Sequence, residues 1–206
     1  MTDSFTHSSR KLLLDTVLRL LLLLCVPWSA FAQSSGEISK LQVERLDDDL
    51  VMSAQLQFEL PAAVEEVLIK GIPVTFTAEA EIYRERWYWL DRRLTSVQRS
   101  YRVSFQPLTR RWRVTATTSA GEGGAGLSLN QSFESLSDAL GHIRKISRWR
   151  IADASALEPS ANYRLEFRYR LDVTQLALPM QIGTLGQSDW NVTLSASKEF
   201  SPEAVR

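Results

Sequence analysis

Apolar and polar side chains alternate with a period of two through most of the chain. The clearest case begins at Tyr163, where apolar residues hold the odd positions up to Val173 and polar residues hold the even positions. This period is typical of a strand with one buried and one solvated face, as in antiparallel sheets. The same pattern predicts further strands over Leu50–Leu60, Val74–Ile82, Val97–Phe105, Trp112–Ala116 and Trp190–Ala196.

Two hairpin turns are marked by residues that favour chain reversal. Three consecutive aspartates, Asp47–Asp49, follow the short segment Leu41–Val43 and precede the strand that begins at Leu50. Pro107–Arg110 separates the strand that ends at Phe105 from the next one. Both segments are predicted to be turns, because Asp can bond its own backbone and Pro fixes φ.

Two further segments have the spacing and the end signals of helices. Pro61–Lys70 has proline in its first turn and Gly71 where the helix stops. Ser135 is followed three residues later by Asp138, which resembles a capping box. The helix that Ser135 opens is predicted to bury residues at three- and four-residue spacing: Leu136, Ala139, Leu140, Ile143 and Ile146.

These elements predict a mostly β fold: an antiparallel sheet, sandwich-like or a partly closed barrel, of about eight strands with two short helices. One irregularity is expected within it. The apolar positions are even up to Ile82, whereas the tryptophans Trp87 and Trp89 stand at odd positions. We therefore expect either a bulge near Arg84–Arg86 or a strand that leaves its sheet there.

The first 32 residues have the three parts of an export signal. Basic Arg10 precedes the apolar run Leu12–Trp28, and Ala30 and Ala32 form a small-x-small exit. We expect cleavage after Ala32, which leaves a single β-rich exported domain that begins at Gln33 and covers residues 33–206.

Two alternatives to cleavage stay open. An uncleaved inner-membrane anchor facing the periplasm would need about 20 predominantly apolar residues, and this run is shorter and contains Asp15 and Arg19. Lipidation would use Cys25, but Leu24 is not the small residue that usually precedes a lipidated cysteine. The preferred prediction is a cleaved signal and a periplasmic domain.

A periplasmic location excludes whole classes of function. ATP, NAD and nucleic acid are absent from that compartment, so no nucleotide or nucleic-acid partner is expected. Cys25 is the only cysteine and leaves with the signal. The exported domain can then form no disulfide, no thiolate nucleophile and no cysteine-based zinc site. No cofactor is expected.

The charge is balanced over the chain, with 24 basic and 24 acidic side chains, but it is unevenly distributed. Residues 37–81 carry ten acidic and three basic side chains, whereas residues 84–113 carry nine arginines against Glu85 and Asp91. Arginine and tryptophan are enriched in binding hot spots. The candidate interaction surface is therefore Arg84, Arg86, Trp87, Trp89, Arg92, Arg93, Arg102, Arg111, Trp112 and Arg113. The alternative is structural: the tryptophans cover the core and the arginines pair with glutamates.

Residue types that carry catalysis are scarce. His142 is the only histidine after residue 32, and no Gly-x-Ser-x-Gly motif accompanies it. The glycines within 121–126 match Gly-x-Gly-x-x-Gly but lead into a predicted strand, so we interpret them as a hairpin loop. Glu79, Glu81 and Asp91 are carboxylates of the type that hydrolases use in pairs.

Four distinctive segments follow one another along the chain: Ile82–Asp91, Tyr101–Val114, Phe133–Leu140 and Leu178–Trp190. Together they resemble domain-of-unknown-function family 4390, a group of proteobacterial exported proteins also labelled proline-rich signal-peptide proteins. The chain departs from that pattern at Leu178-Pro179, where relatives often carry a proline-lysine-proline run. The resemblance implies a Gram-negative envelope setting and a gene that neighbours one for a two-component sensor kinase of the nitrogen-regulation type. It transfers no catalytic residue.

We therefore interpret the chain as a non-enzymatic envelope protein that binds another protein, such as the extracytoplasmic region of a sensor kinase. The first alternative is binding of an anionic lipid or another amphiphile in the periplasm. The second alternative is a hydrolase that uses carboxylates such as Glu79, Glu81 or Asp91.

Overall fold

Nine strands and two helices make up the residues that the computed structural model describes, which are 36–86, 91–119, 126–176 and 190–205. The strands are β1 (Gly36–Leu46), β2 (Asp49–Phe58), β3 (Val74–Arg84), β4 (Arg92–Gln106), β5 (Arg111–Ser119), β6 (Leu127–Phe133), β7 (Lys145–Asp153), β8 (Tyr163–Asp172) and β9 (Thr193–Phe200). The helices are α1 (Ala62–Ile69) and α2 (Leu136–Ile143).

The strands form two antiparallel sheets. One has three strands in the order β1-β2-β7, and the other has six strands in the order β6-β5-β4-β3-β8-β9. Every neighbouring pair is antiparallel. The prediction of a mostly β fold is thus confirmed, and the two separate sheets correspond to its sandwich-like alternative.

The core lies between the two sheets and is built by the predicted alternation. On β8 the odd positions from Tyr163 to Leu171 are all buried, and on β2 the even positions from Leu50 to Phe58 are buried. Phe58 of the small sheet contacts two rings of the large sheet, with centroid distances of 5.9 Å to Phe76 and 5.7 Å to Tyr169. Large aromatic rings bury the most apolar area per residue, so this contact joins the sheets.

Strand β7 was not expected from the sequence, and Ile146 was expected on the second helix. That helix ends at Ile143, and Ile146 instead lies in β7, opposite Ala54 of β2. The register shifts between Ala54 and Met52, which is opposite Trp149. Arg148 has a positive φ of 44° there. The bulge brings Ile146 and Trp149 to the same buried side at a spacing of three, which resembles a helical spacing in the sequence.

Both helices begin at the predicted positions, and α1 also ends where Gly71 predicted. Pro61 precedes α1, and Gly71 follows it with φ 83°, a conformation that favours glycine. In α2 the Asp138 N–H donates to Ser135 Oγ at 3.1 Å, and that hydroxyl donates to the Asp138 carboxylate at 2.7 Å. No helix within the described ranges is long and apolar enough to cross a membrane.

The predicted turns are confirmed, and one register irregularity lies close to the position where a bulge or a departing strand was expected. Asp47 and Arg110 adopt positive φ values of 54° and 51° in the β1–β2 and β4–β5 turns. In the β3–β4 pairing, Ile82 is opposite Thr95 whereas Tyr83 is opposite Arg93, so β4 contains one extra residue. This irregularity immediately precedes Arg84.

The Ser135 cap provides a test of the helix α2. Because Ser135 satisfies a backbone N–H that has no partner inside the helix, Ser135→Ala should lower the free energy of unfolding by about 1 kcal/mol. Urea denaturation measures this loss. Ser137→Ala is the matched control, since Ser137 is exposed in the same helix and makes no side-chain hydrogen bond within the described residues. An equal loss in both variants would show that the cap does not stabilise the helix.

Candidate functional site

The nine arginines of residues 84–113 form an arginine band, which lies mainly on the outer face of the large sheet. Along the β4–β5 hairpin, Arg102 is opposite Thr115, Arg113 is opposite Ser104 and Arg111 is opposite Gln106. The residues between them are buried on the inner face: Tyr101, Val103, Trp112 and Val114. The period-two alternation therefore presents these arginines together on the outer face.

Trp112 does not join the arginines. It is only 8% exposed and packs on Phe105 with a ring distance of 4.9 Å. Its place in the core follows from the alternation, because Arg111 and Arg113 on either side of it point outward. Trp112 therefore contributes to the sheet core and not to the exposed surface.

At the β3–β8 end of the band, the arginines are paired with carboxylates. Arg84 forms two hydrogen bonds to the carboxylate of Glu158. Arg93 NH1 lies 3.1 Å from Glu81 Oε1. These pairs fit the structural interpretation of the band, in which arginine and glutamate side chains neutralise each other.

At the hairpin end of the band, carboxylate partners are nearly absent. Arg102, Arg110 and Arg113 form no ion pair with any described residue, and Arg111 has one, at 3.2 Å to Glu134, whose side chain is 83% exposed. Arg102 and Arg113 occupy diagonal positions, which places them about 7–8 Å apart on the sheet. We call Arg102, Arg110, Arg111 and Arg113 the free arginine face, because three of the four have no described ionic partner and the partner of Arg111 is largely exposed.

The remaining predicted surface residues stand at the base of the β3–β4 connection. Arg86 and Arg92 are exposed, and the Arg86 N–H lies 3.4 Å from Asp91 Oδ1. Trp87 and Trp89 lie outside the described residues, as do the predicted signal-cleavage residues Ala30, Ala32 and Gln33.

The candidate catalytic carboxylates are each held by arginine. Glu79 accepts from Arg170 at 2.9 Å, and Asp91 accepts from Arg164 at 2.6 Å. Burial acts to raise the pKa of Glu81, but hydrogen bonds from Tyr83 and Arg93 outweigh it and lower that pKa below the usual 4.5. A general acid needs the opposite shift.

No metal or histidine chemistry is assembled in the described parts of the chain. Those parts contain no group of three or more His, Cys, Asp or Glu side chains placed to hold a metal ion. His142 is half-buried with its ring 5.4 Å from that of Phe133, and burial lowers its pKa. At neutral pH the imidazole is therefore uncharged in most molecules.

A second site was missed by the sequence analysis. Arg99 of β4 lies on the inner face of the large sheet, opposite Ala78 and Thr118. Its guanidinium stands 4.9 Å above the ring of Trp149, and its Nε donates to Thr118 Oγ1 at 3.0 Å. The sequence signal that could have found Arg99 is the alternation of Val97, Arg99 and Tyr101, which places Arg99 among the inward-facing residues.

Arg99 lines a groove of about 450 Å³ between the inner face of the β4–β5–β6 end of the large sheet and the segment from α2 to the start of β7. Leu127 and Leu129 of β6 form one wall and are 70% and 60% exposed. His142 and Lys145 belong to the opposite wall. The groove therefore combines exposed aliphatic side chains with cationic ones.

Comparison with known protein families identifies the family to which the chain belongs. The family model described as Domain of unknown function (DUF4390) matches residues 33–200. The chain belongs to this family. No curated protein and no solved structure matches the chain.

The DUF4390 match runs from before β1 to the end of β9, so it includes both sheets, the free arginine face and the groove. The family description names no activity and no ligand. The function of this DUF4390 domain must therefore be argued from the geometry of its own residues.

The Glu81–Arg93 pair of the DUF4390 domain predicts a pH-dependent contribution to stability. Because folding lowers the pKa of Glu81, the contribution is complete above the unfolded value and is lost as pH falls through the folded value. Glu81→Gln should therefore unfold more easily at pH 7, by up to about 1 kcal/mol, and the difference should shrink as the pH falls below the unfolded value of about 4.3.

Urea denaturation between pH 7 and pH 3 measures this effect. Glu44→Gln is the control, because it removes an exposed carboxylate of β1 that makes no ion pair with a described residue. A stability difference for Glu81→Gln that stays constant over the whole pH range would contradict the assignment.

Proposed function

We propose that this DUF4390 chain is a non-enzymatic protein-binding module of the bacterial envelope and that it binds through the free arginine face. The observation that carries the proposal is the contrast between the two ends of the arginine band. Arg84 and Arg93 are held by carboxylates at one end, whereas Arg102 and Arg113 have no ionic partner among the described residues at the other.

Uncompensated arginines on a flat sheet face favour an acidic partner. The strand register fixes the backbone positions of Arg102 and Arg113, so only the freedom of their side chains is lost when they bind. Guanidinium groups form two-point hydrogen bonds with carboxylates, which adds direction to the charge attraction. The partner is thus expected to present several Asp or Glu side chains at sheet-like spacing.

The class of partner comes from the family resemblance. A sensor kinase exposes an extracytoplasmic region in the same compartment as an exported domain, so the two can meet. The export signal read from Leu12–Ala32 supports the periplasmic location and the envelope setting. An acidic patch on that extracytoplasmic region would complement the free arginine face.

The proposal of a non-enzymatic role is supported by the state of the candidate catalytic groups. Glu79 and Asp91 are engaged by arginines, and the pKa of Glu81 is lowered. A hydrolase of this type needs one carboxyl group with a raised pKa to act as the general acid, and the lowered pKa of Glu81 is the opposite shift.

The double variant Arg102→Glu, Arg113→Glu tests the surface. It should reduce capture of a specific envelope protein at least tenfold at low salt, because two attractive charges become repulsive. Immobilised wild-type and variant proteins are compared in captures from an envelope extract. For the protein that is captured, the affinity should also fall as the salt concentration rises.

The matched control is Lys40→Glu, Arg45→Glu, which changes the charge by the same amount on exposed positions of β1. It should leave capture unchanged. Equal capture by all three proteins, once circular dichroism shows that each is folded, would reject the free arginine face as the binding surface. Equal loss in both variants would show that only net charge matters.

A further inference from the structure

The groove beside β6 has a charge that nothing in the described structure balances. The described residues that line it include the cationic Arg99 and Lys145 but no aspartate or glutamate. Neither Arg99 nor Lys145 forms an ion pair with another described residue. A half-buried cation without a counter-charge is costly, so an anion bound here would be stabilised by both charges.

Arg99 is held in place with part of its guanidinium free. Its plane is supported by Trp149, and its Nε is engaged by Thr118. A guanidinium carries five N–H donors, and the hydroxyls of Thr118 and Tyr101 engage only part of them, so terminal N–H groups remain available to the groove. Arg99 is therefore positioned before any ligand arrives, which reduces the entropy lost on binding.

The wall of the groove opposite His142 is aliphatic. Leu127 and Leu129 are largely exposed although their odd positions point to the inner face, and Val114 and Ala116 continue the same surface on β5. Aliphatic area that remains in contact with water favours a ligand with an apolar part. One groove thus offers an anion-binding group and an apolar surface side by side.

We propose that this groove binds a single-chain anionic amphiphile of the fatty-acid class. The carboxylate lies between Arg99 and Lys145, and the acyl chain lies along Leu127 and Leu129. The volume of about 450 Å³ is within the range of about 300–1,000 Å³ typical of small-ligand sites. This site is separate from the free arginine face, which is on the opposite side of the same sheet.

Other occupants would match either the charge or the apolar wall of the groove, but not both. A small inorganic anion would neutralise Arg99 and leave both leucines in water. A second chain added to the free edge of β6 would cover the leucines but would leave Arg99 and Lys145 without counter-charge. The amphiphile is the occupant that satisfies the charge and the apolar wall together.

Titration of the purified full chain with fatty acids below their micelle concentration tests the proposal. Hexadecanoate should bind with one molecule per chain, and each methylene removed from the acyl chain should weaken binding by up to about fourfold, as 0.8 kcal/mol per buried CH₂ implies. The methyl ester and a trimethylammonium amphiphile of equal length should bind at least tenfold more weakly, because they lack the anionic group.

Three variants locate the site. Leu129→Glu and Lys145→Gln change exposed residues of the groove and should each weaken hexadecanoate binding, Leu129→Glu by at least tenfold. Arg99→Gln should do the same where circular dichroism shows that it folds. Leu108→Glu is the matched control, because Leu108 is a fully exposed leucine in the β4–β5 turn, and it should bind as wild type.

Three results would overturn the proposal. The first is equal binding of the anionic and cationic amphiphiles, which would show that the cations play no part. The second is wild-type binding by Leu129→Glu, which would place the ligand elsewhere in the chain. The third is a dimer, seen by light scattering, that Leu129→Glu dissociates, since the wall would then be covered by a second copy.

Discussion

The contact of Phe58 with Phe76 and Tyr169 joins the two sheets, and the rest of the structure depends on it. No cysteine occurs after residue 25, so apolar burial and strand pairing must hold residues 33–206 together without a disulfide. In the central strand β3, the small and fully buried Ala78 lies between two large cross-strand neighbours, Arg99 and Tyr169. Alternating large and small residues in this way lets the inner faces fill without voids. Once the face of β3 that carries Ala78 is buried, the strand pairing defines an inner and an outer side for every other strand of the large sheet.

Because each strand has a defined inner and outer side, arginines occupy three different environments in the large sheet. On the outer face beside β8, arginine is paired with carboxylates, as Arg93 is with Glu81. On the outer face of the β4–β5 hairpin it is free, as at Arg102. On the inner face Arg99 stacks on Trp149 beside an open groove. By composition these arginines belong to a single basic segment of the chain. Their environments differ because they lie on different faces of their strands and have different cross-strand neighbours.

The two edge strands of the large sheet, β9 and β6, also differ in how far they are covered. At the β9 edge, Lys198 reaches across to the carbonyl of Leu41 in β1, which ties that edge to the other sheet. The β6 edge carries no charged residue and no bulge, and it exposes Leu127 and Leu129. Uncharged open edges usually invite pairing with other chains. A ligand that covers these leucines would therefore also protect the edge.

The sequence by itself determined most of the strands, both helices and the turns, because alternation, caps and turn residues act over a few neighbours. Strand β7 was the exception, since its bulge gives Ile146 and Trp149 a helix-like spacing. The sequence analysis placed Trp112 on the candidate interaction surface because of its residue type, and this was wrong, because the alternation between Arg111 and Arg113 puts its ring in the core. Only the tertiary structure decided how the strands divide between two sheets and which arginines have carboxylate partners. The pairing of β2 with β7 joins residues 90 to 104 positions apart, and Arg84 meets Glu158 across 74 positions. Such contacts depend on which chain segments become neighbours in space, and no local pattern of residues encodes that.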